Sequence, residues 1–126
     1  MINWIDLAKE AWLTRENASI LGKTKVGAAL ITKNGEIYTG CNIEQLYRNK
    51  DIHAEVCAIS NMILNGEKNF LAIIVVAERE RFTPCGTCMD WIFQFGGPNC
   101  NVAYQTNKGG DIKIFTAEQL MPYYPK

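Results

Sequence analysis

Residues 53–88 have the sequence HAEVCAISNMILNGEKNFLAIIVVAERERFTPCGTC, in which two helix-like segments flank an apolar one. Residues 53–64 place apolar side chains at helical spacing before a glycine stop signal. Residues 70–77 are continuously apolar and rich in β-branched side chains, which predicts a strand covered on both faces. After a charged segment at 78–81, predicted to be a solvated loop, residues 85–95 favour a second helix. The stretch therefore predicts a central strand with helices packed against its sheet.

The flanking sequence extends this pattern in both directions. Residues 1–20 carry a helical apolar face, and residues 116–119 have the capping-box spacing of a short terminal helix. Four further segments have the composition of strands: 26–31, 36–40, 101–106 and 112–115. Asn34-Gly35 predicts a hairpin between the first two strands. The order αββαβαββα predicts one domain over residues 1–126, of the α/β class, with a mixed five-stranded sheet in a three-layer α/β/α arrangement.

Composition narrows the range of functions. The 126 residues include 13 basic and 13 acidic side chains, so the chain lacks the basic excess of a protein that follows a nucleic-acid backbone. The N-terminus has no signal-peptide pattern and no apolar run is long enough to cross a bilayer, which predicts a cytoplasmic protein with no membrane partner. Five cysteines, two of them in Cys-x-x-Cys spacing, favour metal or redox chemistry over a disulfide framework.

Two short motifs predict a catalytic metal site. His53-Ala54-Glu55 and Pro84-Cys85-Gly86-Thr87-Cys88 together offer one imidazole and two thiolates, both at predicted helix starts. Zinc binds such ligands tetrahedrally, and a catalytic zinc keeps its fourth position for water or substrate. His53, Cys85 and Cys88 are therefore the predicted ligands of one zinc ion per chain. Glu55 is not needed as a ligand and is the candidate group for proton transfer.

Two other interpretations use the same cysteines. Cys57 follows His53 by one helical turn and could complete a closed, non-catalytic site with one histidine and three cysteines. Cys85 and Cys88 could instead form a redox dithiol, although this leaves the His53-Ala54-Glu55 motif unexplained. Otherwise Cys57 is expected to be a small buried residue, and Cys41 and Cys100 to be cysteines of strands.

The chain resembles the cytidine deaminase family in five ordered segments: Val26-Gly27-Ala28-Ala29-Leu30, Gly40-Cys41-Asn42-Ile43-Glu44, His53-Ala54-Glu55, Pro84-Cys85-Gly86-Thr87-Cys88 and Leu120-Met121-Pro122. The third and fourth of these segments match the known H-x-E and P-C-x-x-C signature of zinc nucleobase deaminases. The resemblance implies hydrolytic deamination of a cytosine nucleoside such as cytidine or deoxycytidine to its uracil form, with zinc-activated water adding at C4 and ammonia leaving. Glu55 would carry the protons.

The resemblance also implies substrate contacts and an assembly. Asn42 and Glu44 would hold the ribose hydroxyls, or else form an ordinary strand-end turn. The backbone around Ala54 and Thr83 would meet the pyrimidine edge. Tyr123 and Tyr124 would close the pocket with an aromatic face or simply pack. Family members of this length imply a homotetramer, with a dimer as the other possibility, and a place in pyrimidine salvage.

Several positions depart from the family pattern. Thr24 stands where similar enzymes carry Phe, Gln45 where they carry Asn, and Met89-Asp90 where they carry Arg-Gln. His53 and Val56 replace a Cys and an Arg, and these two changes compensate in charge. The departures leave deamination of blasticidin S or of a modified cytosine nucleoside open. The Asn-Ile-Glu segment favours a ribonucleoside, because similar blasticidin deaminases lack it. An editing enzyme acting on tRNA or DNA is disfavoured by the neutral charge.

Overall fold

The computed structural model describes residues 1–125, which contain the nine elements in the predicted order. The elements are α1 Trp4–Arg15, β1 Gly27–Ile31, β2 Ile37–Cys41, α2 Ala54–Leu64, β3 Ala72–Val76, α3 Gly86–Gly96, β4 Asn101–Gln105, β5 Lys113–Thr116 and α4 Ala117–Leu120. The strands form one sheet in the order β2-β1-β3-β4-β5. Only β3 and β4 run parallel, so the predicted mixed five-stranded sheet is confirmed.

Helices cover both faces of this sheet. On one face, α1 buries Leu7, Ala11 and Trp12 against a layer that includes Ile74. On the other, α2 and α3 pack against a larger layer that includes Ile73. All five residues of β3 are buried, which is why its sequence is apolar without alternation. Each large apolar side chain buried in this way contributes about 1.5–3 kcal/mol to folding.

The first helix is shorter than the sequence predicts. It begins after Asn3, whose side chain accepts a hydrogen bond from the Asp6 amide at 3.1 Å, and it ends at Arg15 rather than near residue 20. The reason is tertiary pairing of Ser19, whose N–H donates to Asn42 O at 3.1 Å and whose carbonyl accepts from Glu44 N at 2.8 Å. The segment after α1 is thereby extended along the end of β2, and it becomes part of the site described below.

Two glycines allow helices to approach the sheet closely. A Cβ at Gly27 of β1 would overlap the backbone of Ala11 in α1. A Cβ at Gly40 of β2 would overlap the backbone of Ala54 and Ala58 in α2. Gly40 therefore sets the height at which the first turn of α2 sits above the sheet.

Local signals also define the other element ends. Gly35 adopts φ 86° in the predicted β1–β2 hairpin, a conformation that glycine reaches without a Cβ clash. Thr116 and Gln119 form the predicted capping box at the start of α4. Within residues 1–125, no helix combines the length and the apolar character that crossing a membrane demands.

Candidate metal centre and substrate pocket

The two zinc motifs lie at two helix starts that face each other. His53 is the residue before α2 and Cys85 the residue before α3, and both have extended backbone with no side-chain capping bond. Neither side chain is used to cap its helix, so both can bind a shared metal ion. His53 Nδ1 lies 3.3 Å from Cys88 Sγ and 3.4 Å from Cys85 Sγ.

These distances suit a tetrahedral zinc ion. The ligand atoms of His53, Cys85 and Cys88 all lie within 4.8 Å of one another. With Zn–S bonds of about 2.3 Å and Zn–N bonds of about 2.05 Å, tetrahedral angles place nitrogen and sulfur about 3.6 Å apart. The one imidazole and two thiols fit the ion in both geometry and ligand chemistry.

Cys57 does not join this group. Across residues 1–125, His53, Cys85 and Cys88 form the one cluster of three or more candidate metal ligands. Cys57 faces β2 instead, where a Cβ built on Gly40 would lie 2.7 Å from the Cys57 Cβ. The structure therefore leaves the fourth zinc position without a protein ligand from Cys57, which argues against the closed site.

Glu55 lies in the first turn of α2, two residues after His53. Its side chain is buried, with 3% of the residue exposed. Burial raises the pKa of the Glu55 carboxyl, and a hydrogen bond from its own backbone N–H opposes that change. A raised pKa makes a carboxyl a better proton acceptor than a solvated one, which suits an acid–base group.

Cys88 is the buried member of the ligand set. Burial raises the pKa of the Cys88 thiol, and the nearby carboxylate of Glu55 raises it further. A reactive redox dithiol needs an easily formed thiolate, whereas a coordinated zinc ion deprotonates its thiol ligands outright. The surroundings of Cys88 therefore suit a metal ligand better than a redox cysteine.

A pocket of about 500 Å³ opens beside the cluster, a size in the range of small-molecule sites. It is lined by predicted site residues together with residues of the 22–26 segment and of two loops. The lining residues are Gly22, Lys23, Thr24, Val26, Asn42, Glu44, Arg48, Asp51, Ile52, His53, Ala54, Glu55, Arg79, Phe82, Thr83 and Cys85. One pocket therefore contains every predicted site residue except Cys88 and Tyr124.

Asn42 follows β2 and is 8% exposed. Its Oδ1 accepts a hydrogen bond from Val26 N at 2.8 Å, and its Nδ2 donates to Thr24 O at 3.0 Å. The amide therefore fixes the chain that enters β1 against the end of β2. One N–H of Nδ2 stays available for a ligand after these bonds are counted.

Glu44 is held on both oxygens. Its Oε1 accepts from Leu21 N at 2.6 Å and from Gly22 N at 2.7 Å, while its Oε2 lies 3.4 Å from Arg48 Nη2. The N–H of Gly22, that of Leu21 and the nearby Arg48 guanidinium lower the pKa of the Glu44 carboxyl. Arg48 also bonds Asp51 Oδ2 at 2.9 Å. The Glu44 carboxylate is therefore a structural acceptor for the loop around the pocket.

The family model described as "Cytidine and deoxycytidylate deaminase zinc-binding region" matches residues 3–104. The chain belongs to this deaminase family. A cytidine deaminase of Sporosarcina psychrophila is 38% identical over 118 residues, which cover 92% of this chain and 86% of the relative. A blasticidin-S deaminase of Bacillus cereus is 35% identical over 109 residues, 79% of this chain and 76% of that protein. The crystal structure of cytidine deaminase from Burkholderia pseudomallei superposes with a TM-score of 0.89 at 33% identity, covering 98% of each chain.

Tyr124 lies away from the pocket of its own chain in this deaminase. Its hydroxyl donates to Asp90 Oδ1 at 2.6 Å, and its ring stacks on Phe93 at a centroid distance of 4.1 Å. The hydrogen bond to Asp90 raises the pKa of the Tyr124 hydroxyl. The chain after α4 turns back over α3, so the ring meets that helix and not the zinc ligands. Within one chain, ordinary packing describes Tyr124 better than pocket closure.

Several pocket residues of this deaminase are not identified by the sequence motifs. Arg79 belongs to the segment predicted to be a solvated loop, yet it lines the pocket and its Nη1 donates to Thr24 Oγ1 at 3.1 Å. Phe82, Arg48 and Asp51 also line the pocket. A phenylalanine so close to the Pro84-Cys85 motif is a signal that an apolar wall stands beside the metal. The charged residues carry no such signal, because their positions depend on contacts distant in sequence.

Proposed function

We propose that the protein catalyses zinc-dependent hydrolytic deamination of a cytosine nucleoside, of the cytidine or deoxycytidine type. The product is the uracil form, and ammonia is released. The observation that carries this proposal is that the ligand cluster of His53, Cys85 and Cys88 lies at a pocket that the buried Glu55 also lines. The pocket has the volume for a nucleoside, and the family match supplies the reaction class.

His53, Cys85 and Cys88 are proposed to hold the zinc ion, which when bound makes a water molecule acidic enough to attack a ring carbon near neutral pH. Glu55 accepts the proton that this water gives up. Glu55 then returns this proton to the neighbouring ring nitrogen. It next takes the remaining proton of the hydroxyl group added at C4 and gives it to the departing amino group, which leaves as ammonia while the carbonyl forms. The burial of Glu55 keeps bulk water away from these transfers and raises the pKa of its carboxyl.

The remaining predicted site residues are proposed to position the substrate. Ala54 and Thr83 line the pocket beside the proposed zinc ligands, which supports contacts from their backbone groups to the pyrimidine edge. Asn42 retains one amide N–H for a sugar hydroxyl. Glu44 Oε1 already accepts from Leu21 N and Gly22 N, so its Oε2, which lies 3.4 Å from Arg48 Nη2, is the oxygen proposed to accept a sugar hydroxyl.

The proposal is tested by following the ultraviolet change on deamination across cytidine, deoxycytidine, cytosine, blasticidin S and modified cytidines. Zinc-loaded wild type is expected to turn over at least one nucleoside. Glu55→Gln is expected to keep one zinc per chain by elemental analysis and to lose about 10²–10⁴-fold in kcat, the usual contribution of a general acid–base group.

Two outcomes would count against this assignment. Near-normal turnover by zinc-loaded Glu55→Gln would exclude Glu55 as the proton carrier. No turnover of any compound by zinc-loaded wild type would reject the proposed substrate class.

Blasticidin S is the second candidate substrate. It is supported by the 35% identity to a blasticidin-S deaminase over 79% of this chain. The panel above separates the two candidates, because kcat/KM for blasticidin S is compared directly with that for cytidine.

We also propose a homotetramer acting in pyrimidine salvage in the cytoplasm. All five cysteines are free, as expected of a protein in a reducing compartment. Several large apolar side chains are exposed beside the pocket or near the C-terminus, which supports their burial between subunits: Leu46, Tyr47 and Tyr123.

A further inference from the structure

Two walls of the pocket come from segments that are distant in sequence. Residues 22–26, here called the sugar wall, are bonded to Asn42, and residues 78–83, here called the base wall, include Thr83. Under the proposed function a nucleoside spans both walls, with its sugar near Asn42 and its pyrimidine edge near Thr83. The separation of the two walls must therefore match the substrate.

Arg15, the last residue of α1, contacts both walls although it does not line the pocket. Its Nε donates to Lys25 O of the sugar wall at 3.0 Å, and its Nη2 donates to Glu78 Oε1 at the start of the base wall at 2.9 Å. The side chain of Arg15 is 12% exposed. Because a guanidinium is planar and its N–H groups point in fixed directions, one side chain relates the position of one wall to that of the other.

The position of Arg15 is fixed by contacts outside both walls. Its guanidinium carbon lies over the Trp12 ring, 5.2 Å from the ring centroid. Trp12 is buried, and its Nε1 donates to Gln105 Oε1 at 2.7 Å. A Cβ at Gly27 would lie 2.8 Å from the Arg15 Cβ, so the end of α1 sits directly on β1. Arg15 therefore reaches the two walls from the packed layer between α1 and the sheet.

We infer that Arg15 is a positioning residue, which sets the separation of the sugar wall and the base wall and thereby the fit of the nucleoside between them. This inference rests on the proposed deamination and adds a residue from outside the pocket. The walls share one direct side-chain bond, from Arg79 Nη1 to Thr24 Oγ1 at 3.1 Å. Arg15 adds a second connection, which is anchored in the core rather than at the pocket surface.

Steady-state kinetics of zinc-loaded Arg15→Gln tests this role, with the nucleoside that wild type deaminates best. KM is expected to rise about three- to tenfold, the factor that corresponds to the usual contribution of one or two hydrogen bonds. The variant's kcat should change by less than about twofold, since the substitution affects binding and leaves the reacting groups in place. Partial misfolding would have the opposite signature, because it lowers the active fraction and hence kcat without changing KM.

Glu16→Gln is the matched control. Glu16 Oε1 also lies near the Arg15 guanidinium, 3.8 Å from Nη1, but Glu16 belongs to neither wall and does not line the pocket. Its substitution is expected to leave KM unchanged. A rise in KM as large as that of Arg15→Gln would show that the effect comes from the charge near α1 and would overturn the inference.

A double variant tests whether Arg15 acts through the base wall. Glu78→Gln alone is expected to raise KM about twofold, because the Glu78 carboxylate is largely exposed and such ion pairs are weak. Arg15→Gln combined with Glu78→Gln should have the KM of Arg15→Gln alone, since both substitutions remove the same contact. Effects that multiply in the double variant, or a wild-type KM in Arg15→Gln, would overturn the inference.

Hydrogen exchange measured by mass spectrometry keeps this inference separate from the proposed function. In the zinc-loaded protein without substrate, Arg15→Gln is expected to raise amide exchange rates in both walls by about three- to tenfold and to leave those of β5 unchanged. If wild type deaminates no compound, the proposed function fails, yet faster exchange confined to the walls still supports the positioning role. If wild type deaminates a nucleoside while Arg15→Gln keeps the wild-type KM and exchange rates, the function stands and the inference fails.

Discussion

The zinc site is defined by where single side chains point. His53, Cys85 and Cys88 bring three ligand atoms within 4.8 Å, whereas Cys57, one helical turn after His53, packs toward β2. The spacing of His53 and Cys57 in sequence allows both to reach one ion, and only the packing of α2 on the sheet distinguishes them. This difference separates an open catalytic site from a closed structural one.

Cys57→Ser is therefore expected to retain one zinc per chain. The substitution removes none of the proposed ligands, which are His53, Cys85 and Cys88. The matched variant Cys88→Ser removes one of the three ligands and is expected to lose most of the zinc after dialysis. Elemental analysis of both purified proteins measures the result. Loss of zinc from Cys57→Ser would instead support the closed site, in which Cys57 is the fourth ligand.

Asp51 fixes the loop at the pocket mouth through its contacts with Gln45 and Arg48. The Gln45 N–H, at 2.7 Å, and the Arg48 guanidinium lower the pKa of the Asp51 carboxyl. A lowered pKa in the folded state means that the ionised carboxylate stabilises the fold above the unfolded pKa of about 3.9. That contribution is lost as pH falls through the lower, folded pKa.

Urea unfolding of wild type and Asp51→Asn from pH 7 to pH 3 tests the direction of this pH dependence of stability. Wild type is expected to be the more stable at pH 7, and the difference should shrink below about pH 4 as the wild-type carboxyl is protonated. Asp111→Asn is the control, because Asp111 is exposed and forms no ion pair in the described residues. If wild type is as much more stable than Asp51→Asn at pH 3 as at pH 7, the charge of Asp51 is not the source of the difference.

At the scale of elements, the start of α2 carries both His53 and Glu55, and its height above the sheet is set at Gly40. A methyl group at Gly40 would overlap the backbone of Ala54 and Ala58, which cannot move without displacing the helix. The metal ligand and the proton carrier thus depend on a glycine in a neighbouring strand.

Gly40→Ala is expected to lower the free energy of unfolding by about 1–3 kcal/mol, the usual effect of overpacking, and to weaken zinc binding. Gly35→Ala is the matched control from the same hairpin. Gly35 has φ 86° with open space around it, so alanine there adds backbone strain of about 1–2 kcal/mol without touching α2. Thermal unfolding and zinc titration of both variants compare the two effects. Equal zinc affinity in the two would show that Gly40 does not position the metal site.

The elements themselves are largely predictable from sequence. Helical spacing and the apolar run correctly predicted α2, β3 and α3, because burial and local stop signals act over a few residues. The end of α1 was wrong by about one turn, since it depends on Ser19 pairing with the distant residues Asn42 and Glu44. Local propensity contains no information about that pairing.

At the scale of the whole molecule, the candidate site was also predictable only in part. The motif residues that line the pocket were identified because their chemistry and spacing are recognisable. Arg79 is exposed, as predicted for a solvated loop, but its place at the pocket was not predicted. For Tyr124 the sequence left pocket closure and packing open, and within one chain its ring packs on Phe93. Both positions are set by how the loops and the C-terminal segment fold back over the helices.

Exposed apolar side chains beside the pocket bear on the proposed assembly. Leu46 and Tyr47 are 70% and 74% exposed on the loop that begins at Glu44 and ends at Asp51. Arg48 within this loop has φ 65°, and its ion pairs to Glu44 and Asp51 hold the turn in place. An apolar tip on a loop fixed in this way favours contact with another subunit over solvent exposure.

Light scattering coupled to size-exclusion chromatography is therefore expected to give wild type a mass four times that of one chain. Leu46→Asp places a charge where the apolar tip would be buried between subunits, so its mass should fall toward that of a dimer or a single chain at the same micromolar concentration. Lys50→Asp changes the charge of the same loop without removing apolar surface and should keep the wild-type mass. A wild-type mass equal to one chain would reject the tetramer, and an unchanged mass for Leu46→Asp would place the subunit contact elsewhere on the molecule.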